Sequence, residues 1–193
     1  MQPRKIDSEL PTGTPGLDME LSNPWVVWCQ CNRTTWTEED TIPIYEFNTI
    51  AGFWTVMNDI RHVNNLKNIR WIFMRKGILP KWEDPQHIRG GYCTIKLDII
   101  NHAKLFLDCL SGIIGEMFTN MLYDSFNITG VTYVNRDDYK QMRIWISHIE
   151  NPIRMESLAS EYVNLLFNKR KYGIKVTPFT RIQKCNEPEG KQK

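Results

Sequence analysis

A chain of 193 residues, 41% hydrophobic and 24% charged, has the composition of a globular protein and is long enough for one buried core. A formal charge of +2 excludes wholesale wrapping of a polyphosphate, so contact with nucleic acid is expected to be local and short. Neither a disulfide framework nor a zinc site follows from five cysteines without a C-x-x-C pair. The polar start MQPRKIDSELPTGTPG lacks an apolar signal core, and no apolar run approaches a membrane span. A soluble cytoplasmic monomer without metal or cofactor is the expectation.

In chain order, residues 1–22 are rich in Pro, Gly and charge and read as a flexible arm. Residues 23–184 form the expected folded domain and 185–193 a frayed tail. Trp25–Cys31 is β-branched and aromatic and suits a first strand; Thr41–Phe47 suits a second, with Pro43 pointing to an edge. Asn48 or Thr49 can cap a helix whose Ile50, Phe53, Trp54, Met57 and Ile60 fall near i, i+3, i+4, i+7 spacing. Ile69–Arg75 and Tyr92–Leu97 read as further strands. A second helix is predicted over about 101–118, burying Phe106, Cys109, Leu110, Ile113 and Met117.

Ile128–Asn135 and Gln141–Ile149 form a predicted hairpin in which Met142, Ile144, Ile146 and His148 alternate with Arg143, Trp145 and Ser147. Asn151-Pro152 starts a third helix, with Leu158, Tyr162, Leu165 and Lys169 on one face and Gly173 as its stop. Ile174–Thr180 is the last strand. Strand, strand, helix is repeated three times, and short connections within each strand pair favour antiparallel pairing. An α+β fold follows: one antiparallel sheet with three helices on one face and a ligand on the other.

Seven tryptophans are many for this length. Trp25, Trp28, Trp54, Trp71 and Trp145 lie inside predicted elements, where core packing is the ordinary role. Trp36 and Trp82 stand in polar loops, and two such tryptophans suggest stacking on a flat ligand. Glu83 follows Trp82 directly. Its carboxylate only accepts, whereas the guanine edge offers two adjacent donors, N1–H and the 2-amino group. An N7-methylated guanine is cationic and is drawn to tryptophan faces and to the carboxylate.

Trp82-Glu83-Asp84 followed by Arg89-Gly90-Gly91, with Phe53-Trp54, Gly115-Glu116 and Ile144-Trp145, resembles the translation initiation factor 4E family from about Leu21 to Ile182. The resemblance implies a curved sheet of about eight strands, with three helices on its convex face and the 7-methylguanosine cap of mRNA in its concave face. It assigns Trp36 and Trp82 to the base sandwich, Glu83 to the guanine edge and Trp145 to the N7-methyl side. Arg136 aligns with a family phosphate ligand. The chain departs from the family where Tyr92, Cys93 and Gln141 replace two basic residues and a tryptophan, so Lys140, Arg143, Arg181 or Lys184 are the candidate substitutes. The resemblance also implies a helical surface for a 4G-type scaffold subunit or repressor peptides, matched by Ile50, Trp54, Leu107 and Asp108. Met19-Glu20-Leu21 stands where the family has His-Pro-Leu. The function implied is cap binding in translation initiation, without enzymatic activity; the alternative is a divergent repressor or decoy.

Overall fold

The structure, a computed structural model, describes residues 2–5, 16–30, 40–63, 69–97, 102–117, 128–136, 139–149, 151–154, 156–157, 160 and 174–178. Eight strands are β1 (Arg4–Lys5), β2 (Glu20–Gln30), β3 (Thr41–Thr49), β4 (Arg70–Arg75), β5 (Gly91–Leu97), β6 (Ile128–Asn135), β7 (Lys140–Ile146) and β8 (Ile174–Pro178). Two helices, α1 (Ile50–Val63) and α2 (His102–Ile114), are joined by helical residues at 152–154, 156–157 and 160. The strands form one sheet in the order β1-β3-β2-β4-β6-β7-β5-β8, curved and backed by the helices in the expected α+β arrangement.

Strand alternation divides the side chains. Trp25, Val27, Phe47, Phe73, Ile95, Val131 and Met142 point to one side and pack with Phe53, Val56, Met57 and Ile60 of α1 and Phe106, Cys109, Leu110 and Ile113 of α2. This is the main core. Ile72, Met74 and Trp145 form a second apolar cluster with Trp28, Ile78, Trp82 and Tyr92, and no described helix residue joins it. It marks the open face.

Local chemistry fixes the helix ends. Gly52 N–H donates to Thr49 Oγ1 at 3.0 Å, so Thr49 is the cap, while the Met19 and Leu17 carbonyls accept from Ile50 and Ala51. Asn151 Oδ1 accepts from the N–H groups of Ile153 and Arg154, starting the third helix as predicted. Its expected face, Leu158, Tyr162, Leu165 and Lys169 with the stop at Gly173, lies outside the described residues. At the end of α2, Glu116 adopts a left-handed φ of 55° without being glycine. Its carboxylate pairs with Arg75 at 2.7 Å and accepts from Asn23 Nδ2 at 3.0 Å, which offsets that backbone cost and ties the helix layer to β2 and β4.

Four sequence expectations change. Met117 is 59% exposed, because α2 stops at Ile114 and the following turn breaks the helical period. β4 and β5 are not neighbours: β6 and β7 lie between them, so residues 76–90 cross over instead of closing a hairpin. β2 begins at Glu20, inside the segment read as an arm, and Arg4–Lys5 pair with Tyr45 and Glu46 of β3. That last pairing is parallel in an otherwise antiparallel sheet. It reaches only those two residues, so Pro43 lies beyond it on the outer strand.

Candidate functional site

Opposite residues on paired strands share a face, so the open side can be read in rows. One row runs Val26, Met74, Gly130, Trp145, Tyr92, Thr177, and the next Trp28, Ile72, Thr132, Arg143, Thr94, Lys175. A third runs Gln30, Arg70, Val134, Gln141, Lys96. The aromatic and aliphatic residues gather in the first two rows, and the cations in the second and third. A site so divided suits a ligand with a flat apolar part and an anionic part.

The crossover between β4 and β5 carries Trp82 to the aromatic end. Gly77, at φ 88°, turns the chain away from β4. Asp84 is nearly fully buried, and its two carboxylate oxygens accept from the N–H groups of Leu79 and Gln86, each at 2.9 Å. It holds the turn while its neighbour Glu83 stays exposed, without a hydrogen bond or ion pair among the described residues. His87, in the 3-10 turn Pro85–His87, is fully buried. The Lys81 carbonyl lies 2.7 Å from Nδ1, which must therefore donate, leaving Nε2 to accept from the Thr129 hydroxyl at 2.8 Å. Burial lowers the His87 pKa, favouring this neutral form. Behind it Gly90 approaches β7 so closely that a Cβ there would meet the Ile146 carbonyl oxygen at 2.1 Å. Trp82 is thus a half-buried aromatic on a rigid turn, packed with the cluster that contains Trp145.

Trp145 is itself buried. Its Nε1–H donates to Thr132 Oγ1 at 2.8 Å, and its ring meets His87 at 5.1 Å and Tyr92 edge-on at 6.3 Å. Tyr92 in turn supports a cation: the Arg143 guanidinium lies 4.8 Å above its ring. The Gln141 side-chain carbonyl, oriented to meet its donors, accepts from Arg143 Nε and Nη2 at 2.5 and 3.1 Å. Tyr92 and Gln141 therefore both hold Arg143 in place, whereas Cys93 lies in the core. Arg136 leans on the Tyr139 ring at 5.3 Å. Arg70 donates to the buried Gln30 amide oxygen at 2.6 Å. Its pKa is pushed down to about 10, first by burial and then by Arg143 and Arg136, so the three guanidiniums share one neighbourhood.

The structure brings Trp82 beside Trp145 and sets Arg136 and Arg143 around Arg70, while Glu83 is exposed next to Trp82 in the chain. Lys140 stands apart, because alternation aligns it with Leu97 and Asn135. Its charge lowers the pKa of His102 on α2, and its Nζ donates to the Arg136 carbonyl. Trp36, Arg181 and Lys184 lie outside the described residues. Sequence reading missed Arg70 and Gln30, which only the strand register places beside Arg143, and His87, whose burial leaves no local signal.

On the helical face, Trp54 is 38% exposed and one helical turn from half-buried Ile50. Met19, 60% exposed, accepts from the Ile50 N–H and extends this apolar patch. Leu107 and Asp108 are half-buried on α2, with Asp108 paired to Lys104 at 2.5 Å.

Comparison with known proteins gives a consistent answer. The chain is 27% identical over 169 residues to an uncharacterized protein of Acanthamoeba polyphaga mimivirus, covering 86% of this chain and 88% of that one. It is 25% identical over 167 residues to eukaryotic translation initiation factor 4E-1 of Arabidopsis thaliana, covering 83% and 68%. The fold matches that of C. elegans eIF4E-3, solved with the 4E-binding protein Mextli and a cap analog, at a TM-score of 0.72 and 20% identity, covering 88% of this chain and 96% of that one. The family model described as Eukaryotic initiation factor 4E matches residues 20–192, and the chain belongs to that family.

Proposed function

We propose that this protein binds the 7-methylguanosine cap of mRNA on its open face and recruits a 4G-type scaffold subunit, or a repressor peptide, on its helical face. The observation that carries the reading is the division of the open face into an aromatic end under Trp82 and a cationic zone around Arg143. A cap has the same two parts, a cationic base and a phosphate bridge.

In this reading the base stacks on Trp82, with Trp36 as the second face of the sandwich. Glu83, exposed beside it, accepts from guanine N1–H and the 2-amino group. The Trp145 ring lines the N7-methyl side. Arg143 and Arg136, with Arg70 close by, meet the phosphates; a planar guanidinium matches phosphate oxygens in pairs. Arg181 and Lys184 are further candidates for that role. The roles described need binding only, so the protein acts as a binding factor without catalysis, in the cytoplasm where capped mRNA is translated.

On the other face, Met19, Ile50 and Trp54 offer an apolar strip to an amphipathic helix, and Leu107 with Asp108 extends the surface onto α2. The alternative role is a repressor or decoy with altered cap preference that holds the cap or the scaffold but not both productively, kept open by Tyr92 and Gln141 at family basic positions. Cap-column retention of a scaffold fragment by this protein, lost in Trp54→Ala, separates initiation from decoy.

Titration with 7-methyl-GTP and with GTP, followed by tryptophan fluorescence, tests the cap reading directly. Quenching by the methylated nucleotide alone is expected. Trp82→Ala should weaken it by about tenfold or more, the scale of one lost base–aromatic stack. Glu83→Ala should weaken binding by a similar factor. Equal quenching by both nucleotides, or none by either, would overturn the proposal.

A further inference from the structure

The cations of the open face continue beyond Arg143 toward the β8 edge. Arg143, Thr94 and Lys175 stand side by side on β7, β5 and β8, and Lys96 faces Gln141 one row away. Cys93, Ile95 and Leu97 of the same strand are buried in the core, so Lys96 is turned outward; both lysines are exposed. With strands about 4.8 Å apart, the row from Arg143 to Lys175 is about 10 Å wide. The described open-face positions of these three strands contain no carboxylate, and neither lysine has an ion pair among the described residues. Like charges left together without an acid repel, and that repulsion is relieved when an anion lies along them. Tyr92, already covered by Arg143, has no free ring face on that side for a further base. The chemistry beyond Arg143 is therefore that of a backbone contact: two ammonium groups, with the Thr94 and Thr177 hydroxyls between and beside them.

We propose that the row from Arg143 to Lys96 and Lys175 holds the phosphodiester backbone of the first nucleotides after the cap, so that the preferred ligand is a capped single-stranded RNA end. This rests on the cap reading for the position of the 5′ end. It adds a site that is indifferent to base sequence, because phosphate contacts carry no sequence information.

The test uses the full chain and the double variant Lys96→Ala/Lys175→Ala, whose two exposed side chains lie outside both apolar clusters. Affinities for 7-methyl-GTP and for a capped oligoribonucleotide of about six nucleotides are measured across a salt series. The unaltered protein should hold the oligonucleotide about tenfold tighter than 7-methyl-GTP. The double variant should lose that gain and keep its affinity for 7-methyl-GTP. Its plot of log K against log salt for the oligonucleotide should be shallower by about 1.4, or about 0.7 for each lost contact on a single strand. Equal affinity of the unaltered protein for the two ligands, or an unchanged slope in the variant, would overturn the proposal. If 7-methyl-GTP does not bind at all, the cap reading has failed on its own. An uncapped 5′-triphosphate oligonucleotide then decides the row: binding that depends on the lysines upholds it, and binding that does not rejects it.

Discussion

Along β5, neighbouring residues face different surroundings. Cys93, Ile95 and Leu97 are buried against the helix layer, while Tyr92, Thr94 and Lys96 turn to the other side. On the helix face the strands present an apolar surface, and its charged groups sit at the margin, as Arg75 and Glu116 do. On the open face three arginines crowd together and a tryptophan stands on a loop braced by a buried carboxylate and a buried imidazole. With the proposed cap site on the open face, stability and binding fall to alternate residues of the same strands. A substitution on one side should therefore disturb one property and spare the other.

The sharpest form of that contrast pairs Phe73→Ala with Trp82→Ala. Phe73 is fully buried, with its ring 5.9 Å from that of Phe106 on α2, and its loss should cost about 3–5 kcal/mol in urea unfolding. Trp82 is half-buried, and its loss should cost only about 1 kcal/mol while removing most cap affinity. Similar stability losses in the two variants would break the comparison.

At the margin of the helix face, Glu116→Ala leaves the Arg75 guanidinium without its carboxylate at a largely buried site. The expected loss is about 3 kcal/mol, the scale of a buried charge stripped of its partner. Arg75 also lies 5.4 Å over the Trp25 ring and donates to the Ile128 carbonyl at 2.7 Å, so the loss should spread to β2 and β6. Glu116→Gln, which keeps an acceptor for Asn23, should cost less. If the two variants are equally unstable, the charge is not what holds this node.

Much of this architecture was legible because it is periodic. The alternation of Met142, Ile144 and Ile146 with Arg143 and Trp145 placed the two faces of β7 correctly; of the stripe expected on α1, Phe53, Met57 and Ile60 are buried, whereas Ile50 is half-buried and Trp54 exposed. What sequence could not supply was the strand order. Ile69–Arg75 and Tyr92–Leu97 read as partners because they are consecutive, yet two later strands lie between them. Arg70 escaped notice for that reason: it nears Arg143 only once β4, β6 and β7 are aligned. Lys140, a candidate beside Arg143 in sequence, aligns instead with Leu97 and Asn135, because nearness in sequence says nothing about face until the register is known. Glu83 and Asp84, adjacent and alike in type, turned out to differ in kind: one is exposed, the other holds the loop.

The smallest expected effect concerns pH, and it joins the two faces through His87. Its imidazole is buried between the Lys81 carbonyl and Thr129, and burial holds its pKa below the usual 6.5. In the unfolded chain the same group titrates in its ordinary range. As pH falls through that range, the unfolded chain takes up a proton that the folded chain refuses. Stability that is complete above about 6.5 is therefore lost progressively as pH drops toward the lower folded value. His102 on the helix face shifts in the same direction, through burial and then Lys140, so it adds to the slope. His87→Gln should flatten the fall in urea midpoint between about pH 7.5 and pH 5.5 without abolishing it, because His102 remains. Since the Lys81 carbonyl precedes Trp82, the same variant should also weaken 7-methyl-GTP binding at neutral pH, by a smaller factor than Trp82→Ala. An unchanged pH slope would mean that His87 does not withhold its proton in the folded chain. A changed slope with unchanged binding would mean that Asp84 alone suffices to hold the loop.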